Sequence, residues 1–125
     1  MDPAKILVVE DDPFLRELYQ ETLVAEGYHV DTAQDGDEGL NKIKKGGWDL
    51  VLLDIILPKL DGLEIMRKIK NEPPDAPNKK IIFLTNLDKD DEIKEALKLG
   101  NGYIIKSQIT PGDLIREVKV YLDKN

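Results

Sequence analysis

The chain has 125 residues, enough for one domain with its own hydrophobic core. Its 41% apolar and 34% charged residues describe a soluble globular protein, and a net charge of −7 argues against duplex nucleic acid or an anionic membrane as primary partner. With no cysteine and one histidine, His29, the chain excludes disulfides, thiolate catalysis and metal sites built on sulfur or several imidazoles.

The apolar run at 6–9 is too short for a helix and reads as a buried strand. Asp12 and Pro13 then supply a helix start, cap first and proline at the first helical position. Leu15, Leu18, Tyr19, Thr22 and Leu23 follow at helical spacing until Gly27. Residues 28–32 read as a second strand, exposed on the side of His29 and Asp31. A short helix over 37–45 carries Leu40 and Ile43 inward and ends at Gly46 and Gly47. The run 50–53 is continuously apolar, as suits a central parallel strand covered on both faces.

A third helix over 63–71 turns Ile65, Met66 and Ile69 inward, and three prolines make 72–78 a loop. Gly62 reads as part of the turn after Pro58, and Trp48, Met66 and Phe83 read as core. Residues 81–84 form a fourth strand, and 89–99 a fourth helix with Ile93, Ala96 and Leu97 inward. A fifth strand covers 103–105. Thr110 and Pro111 open the last helix, whose stripe is Leu114, Ile115, Val118, Tyr121 and Leu122. Five strands alternating with five helices predict an α/β fold, a doubly wound parallel sheet. No apolar run is long enough to span a membrane, and Met1, Asp2 and Pro3 lack the basic start of a signal peptide, so a cytoplasmic protein is expected.

Doubly wound sheets put their chemistry at the carboxyl ends of the strands. There the first strand ends in Glu10, Asp11 and Asp12, the third in Asp54, the fourth in Thr85 and the fifth in Lys106. Crowded carboxylates either take up protons or bind a cation. Oxygen ligands alone favour a hard cation, and Mg²⁺ suits one or two carboxylates completed by water and phosphate oxygens. Lys106 adds a positive charge for phosphoryl oxygens, and Thr85 a hydrogen-bond donor. A carboxylate that attacks phosphorus forms an aspartyl phosphate. Asp12 is read chiefly as a helix cap.

These pieces resemble the response-regulator receiver domains of two-component signalling: 6–13 (ILVVEDDP), 49–58 (DLVLLDIILP) with Asp61, Gly62, Leu63 and Glu64, the strand end at Leu84 and Thr85, and 103–106 (YIIK). The likeness runs over nearly the whole chain. It implies a flavodoxin-like sheet of five strands in the order 2-1-3-4-5. It implies that Asp54 is the phosphoryl acceptor, with Thr85 and Lys106 contacting the phosphoryl group. Asp11, Asp54 and the backbone carbonyl of Ile56 would ligate Mg²⁺, and Glu10 would act through a metal-bound water. Thr85 and Tyr103 would form the switch. The implied donor is a sensor histidine kinase or a histidine phosphotransfer protein. The output partner would bind a face built from the fourth helix, the fifth strand and the last helix. Residues 1–125 are expected to be a single receiver domain without an attached output domain, a monomer or a phosphorylation-dependent dimer.

The chain departs from the family pattern in three places. Ser107 stands where most receivers have a proline joined by a cis bond, which puts the aim of Lys106 in question. The approach to the fifth strand, Gly100 to Tyr103, is one residue short, and Asn86 replaces a small residue after Thr85. Ile56 and Leu87 are apolar at positions tied to the rate of phosphate loss, which predicts a long-lived aspartyl phosphate. Two other readings stand beside the signalling one. A phosphorylation-independent interaction module would use the same fold. An aspartate-nucleophile Mg²⁺ phosphohydrolase would need a second acid two residues after Asp54, where this chain has Ile56.

Overall fold

The computed structural model describes residues 2–86, 94–95 and 98–123. Its strands are β1 (Lys5–Val9), β2 (His29–Ala33), β3 (Leu50–Asp54), β4 (Ile81–Thr85) and β5 (Gly102–Ile105). They pair in parallel in the order β2-β1-β3-β4-β5. Alternation along the strands divides the core in two. Leu7, Val9, Val51, Leu53 and Phe83 face one side, and Ile6, Val8, Leu50, Leu52, Ile82 and Leu84 the other. Helices α2 (Gly36–Lys45) and α3 (Gly62–Asn71) cover the first side through Ile43, Ile65, Met66 and Ile69. Helix α1 (Pro13–Ala25) and the C-terminal helix (Pro111–Asp123) cover the second through Tyr19, Leu23, Leu114 and Val118. The fold is the doubly wound α/β sheet expected from the sequence.

Local chemistry explains where the elements begin. Asp12 accepts hydrogen bonds from the amides of Phe14 and Leu15, so α1 starts at Pro13. Asp35 caps α2, and Asp61 with Glu64 forms a capping box on α3. Thr110 and Asp113 bond each other's amides at the start of the C-terminal helix.

The strand ends at Asp54 and Thr85 are as expected, each the last residue of its strand, whereas other readings change. Gly62 is not turn chemistry but the first residue of α3. A Cβ there would lie 2.4 Å from the Asp54 carbonyl oxygen, so only glycine lets the helix start against β3. Trp48 is half-buried at the edge of the core and donates its ring N–H to the Lys42 carbonyl at 2.9 Å. The expected fourth helix has helical backbone at 94–95 and 98–99, and its inward residues Ile93, Ala96 and Leu97 lie outside the described residues. The short approach to β5 is a tight connection: Asn101 accepts from the Ile81 amide at 2.7 Å, and Gly102 packs against the Tyr121 ring.

Among the described residues no helix is long and apolar enough to cross a membrane.

Candidate functional site

The chain leaves β1 for β2 on one side and returns across the sheet to β3 on the other, so the switch point lies between β1 and β3. Glu10 continues the β1 ladder by donating its amide to the Ala33 carbonyl at 3.0 Å. The chain then turns into α1. Arg16, a residue without an obvious role in the sequence, pins that turn by donating to the carbonyls of Glu10 and Asp11 at 3.0 and 3.3 Å. On the neighbouring strand Asp54 is placed by the β3–β4 ladder, and Ile55 donates its amide to Leu84.

The resulting cavity, about 300 Å³, is lined by Glu10, Asp11, Asp54, Thr85 and Lys106, with Asp12, Leu15, Ile56 and Asn86 completing the wall. Carboxylate oxygens of Glu10, Asp11 and Asp54 lie within 4.8 Å of one another. The Lys106 ammonium donates to Asp54 Oδ2 at 2.7 Å and to Glu10 Oε1 at 2.8 Å. Asp54 Oδ1 accepts from the Ile56 amide at 3.3 Å, and Glu10 Oε2 from the Asp12 amide at 3.2 Å. Glu10 and Asp54 are buried, while Asp11 is exposed at the mouth. Thr85 is buried in the wall.

The electrostatics are those of an under-neutralised cluster. Burial, followed by the hydrogen bond with Asp54, pushes the Glu10 carboxyl above its ordinary range. Asp11 is raised by burial and then by the hydrogen bond and charge of Glu10. Burial alone would pull Lys106 down, but its bonds to Asp54 and Glu10 outweigh that and hold the ammonium above its usual value. Glu10 and Asp54 share this ammonium and Asp11 stands beside them without a bond to it, so the three ionised carboxylates and the lysine together keep two formal negative charges. An all-oxygen donor set with that charge fits a hard divalent cation such as Mg²⁺.

The sequence-predicted residues are therefore brought together across the chain, apart from Tyr103. That side chain is half-buried on β5 and lines a separate groove with Arg116 and Tyr121. Ser107 does not misdirect the lysine. The described residues contain no cis peptide bond, Lys106 opens a short 3₁₀ turn (Lys106–Gln108), and its ammonium still reaches both acids. Ile56 is 63% exposed at the rim and supplies no acid there. Leu87 lies outside the described residues.

Comparison with known proteins agrees on one family. The model for the response regulator receiver domain matches residues 6–119. The transcriptional regulatory protein DltR of Streptococcus agalactiae is 37% identical over 116 residues, covering 93% of this chain and 50% of the relative. The chemotaxis protein CheY of Treponema pallidum is 40% identical over 108 residues, 83% of this chain and 73% of the relative. The chain thus spans about half the length of several of the curated relatives it matches. Among solved structures, a CheY-like receiver domain protein from Methanospirillum hungatei superposes with a TM-score of 0.84 at 33% identity, covering 97% of this chain and 94% of that one. The response regulator TrrA of Thermotoga maritima, in complex with Mg(2+)-BeF, superposes with a TM-score of 0.78 at 38% identity, covering 94% and 98%.

Proposed function

The chain belongs to the response regulator receiver domain family, and from that premise we propose that it accepts a phosphoryl group on Asp54 from a sensor histidine kinase or a histidine phosphotransfer protein. The observation that carries this reading is Lys106, held within 2.8 Å of Glu10 and 2.7 Å of Asp54 inside a cluster of excess negative charge. A carboxylate oxygen of Asp54 bonds to phosphorus while the donor's phosphorus–nitrogen bond breaks, and its electron pair stays on the imidazole. Lys106 would neutralise the phosphoryl oxygens, and Thr85 would donate to one of them. Asp11, Asp54 and the Ile56 carbonyl would hold Mg²⁺, with Glu10 acting through a bound water. When bound, the ion supplies charge neutralisation and in-line orientation of the phosphoryl group.

Phosphorylation adds charge and acceptor oxygens at this sheet edge. Thr85 and Tyr103 then shift the population toward an active face formed by the fourth helix, β5 and the C-terminal helix. We take 1–125 as one receiver domain whose output is a protein contact rather than nucleic acid, made by a monomer or a phosphorylation-dependent dimer. The exposed apolar Ile56 offers nothing to orient an attacking water, which supports a long-lived phosphoryl aspartate.

The test is intact mass after incubation with acetyl phosphate and Mg²⁺, for wild type and Asp54→Asn, with and without EDTA. One phosphoryl group that depends on both the metal and Asp54 is the expected result. No adduct in wild type, under conditions that preserve acyl phosphates, would overturn the reading in favour of the phosphorylation-independent module.

A further inference from the structure

The loop 55–61, which joins β3 to α3, is closed at its base by the Gly62 amide, which donates to the Ile55 carbonyl at 2.8 Å. At its tip the Leu60 amide donates to the Pro58 carbonyl at 2.8 Å, across a Lys59 with φ of 71°. This is the γ-turn of positive φ, the rarer and more strained of the two forms. Lys59 is the sole non-glycine residue with positive φ among those described. Such a conformation persists where the surroundings over-determine it.

The surroundings here are the start of α2. Asp35 Oδ2 lies 3.3 Å from the Lys59 ammonium. The Gly36 amide donates to the same Pro58 carbonyl at 3.0 Å. Gly36 approaches the turn so closely that a Cβ there would sit 1.8 Å from the Leu60 carbonyl oxygen. Asp35 is itself immobilised, because its Oδ1 caps α2 by accepting from the Glu38 amide at 2.9 Å. At the other end of the loop, the Ile56 amide is folded back onto Asp54 Oδ1.

We propose that Asp35 and Lys59 are positioning residues that set the cation affinity of the site, by holding the strained turn and with it the backbone of Ile56 against Asp54. The proposal rests on the reading of Asp54 and the Ile56 carbonyl as Mg²⁺ ligands. It deepens that reading by placing control of affinity in the cap of a neighbouring helix. Without the clamp, the turn relaxes to other backbone conformations, and binding the ion must then order the loop at the expense of affinity. An ion pair whose lysine is 59% exposed adds little to global stability, so its loss should register at the site rather than in the melting temperature.

Calorimetric titration with Mg²⁺ tests this, alongside thermal melts, for wild type, Asp54→Asn, Asp35→Asn, Lys59→Gln and Lys59→Arg. Asparagine keeps the α2 cap, and glutamine removes only an exposed charge, so neither change should lower the melting temperature. Asp35→Asn and Lys59→Gln should each raise the Mg²⁺ dissociation constant about threefold, within what a partly exposed ion pair can hold. Lys59→Arg should bind as wild type does. If wild type binds, Asp54→Asn does not, and both clamp variants keep full affinity, the clamp is overturned and the site reading stands. Weakened binding that appears only with a lowered melting temperature, or equally in Lys59→Arg, also overturns it. Absence of Mg²⁺ binding in wild type overturns the clamp together with the ligand assignment beneath it.

Discussion

Strand β3 is flanked by an aspartate at each end, Asp49 just before it and Asp54 as its last residue. Asp49 accepts the Lys5 amide at 2.8 Å and pairs with the Lys79 ammonium at 3.0 Å, one partner for each oxygen. Those donors, the Lys5 amide first and then Lys79, hold its carboxyl below the ordinary 3.8. Asp54 also has an amide and an ammonium, from Ile56 and Lys106, but it shares the ammonium with Glu10 and sits beside Asp11. The same side chain on the same strand is neutralised by the fold at one end and left in excess negative charge at the other. A carboxylate whose charge is already met ties strands and loops together. One whose charge is not met keeps an affinity for whatever positive or electrophilic group arrives.

The contrast is broken most severely at Lys106. Replacing it by methionine leaves Glu10 and Asp54 buried without their shared cation, and at neutral pH in EDTA this should destabilise the protein by about 3 kcal/mol. Urea unfolding with and without Mg²⁺ measures it, and added ion should recover part of the loss. An unchanged midpoint in EDTA would mean that the cluster is not held by the lysine.

A smaller effect sharpens the contrast at the site end alone. Asparagine at Ile56 places a polar group at the rim of the cavity, and loss of the phosphoryl group from Asp54 should accelerate by about tenfold, or 1.4 kcal/mol in barrier. Decay of the phosphorylated mass after removal of the donor reads this directly. A lifetime unchanged by the substitution would remove Ile56 as the cause of slow loss.

The smallest effect is at the other end. Asp49→Asn should leave phosphoryl uptake and Mg²⁺ binding as in wild type while lowering stability at neutral pH by about 1 kcal/mol. Because the folded carboxyl titrates below its unfolded value of 3.8, its contribution is fully present above that pH and is lost as the pH falls through the lower folded value. The acid limb of a stability–pH curve should therefore be shallower in the variant. A loss of phosphoryl uptake would erase the distinction between the two aspartates.

Much of this molecule is written locally. The alternation of apolar runs with capped amphipathic stretches determined the element order, because caps and periodicity act over a few residues: Asp12 before Pro13, Asp61 three residues before Glu64. The acids and the lysine were legible as a site because parallel strands carry their ends to one edge. What no local pattern could decide is contact between segments far apart in the chain. Lys106 meets Glu10 across 96 positions, and whether it did so past Ser107 depended on the path of the 3₁₀ turn. Gly62 reads as an ordinary turn glycine and Gly36 carries no signal in the sequence, yet the backbones of β3 and of loop 55–61 lie against them. The strained turn at Lys59 is invisible in the sequence for the same reason, since its conformation is imposed from α2. Composition and periodicity determined the fold and the edge on which chemistry sits. Tertiary structure alone decided which charges are met and which are left open, because neutralisation depends on distances of a few ångströms between residues that the chain order keeps apart.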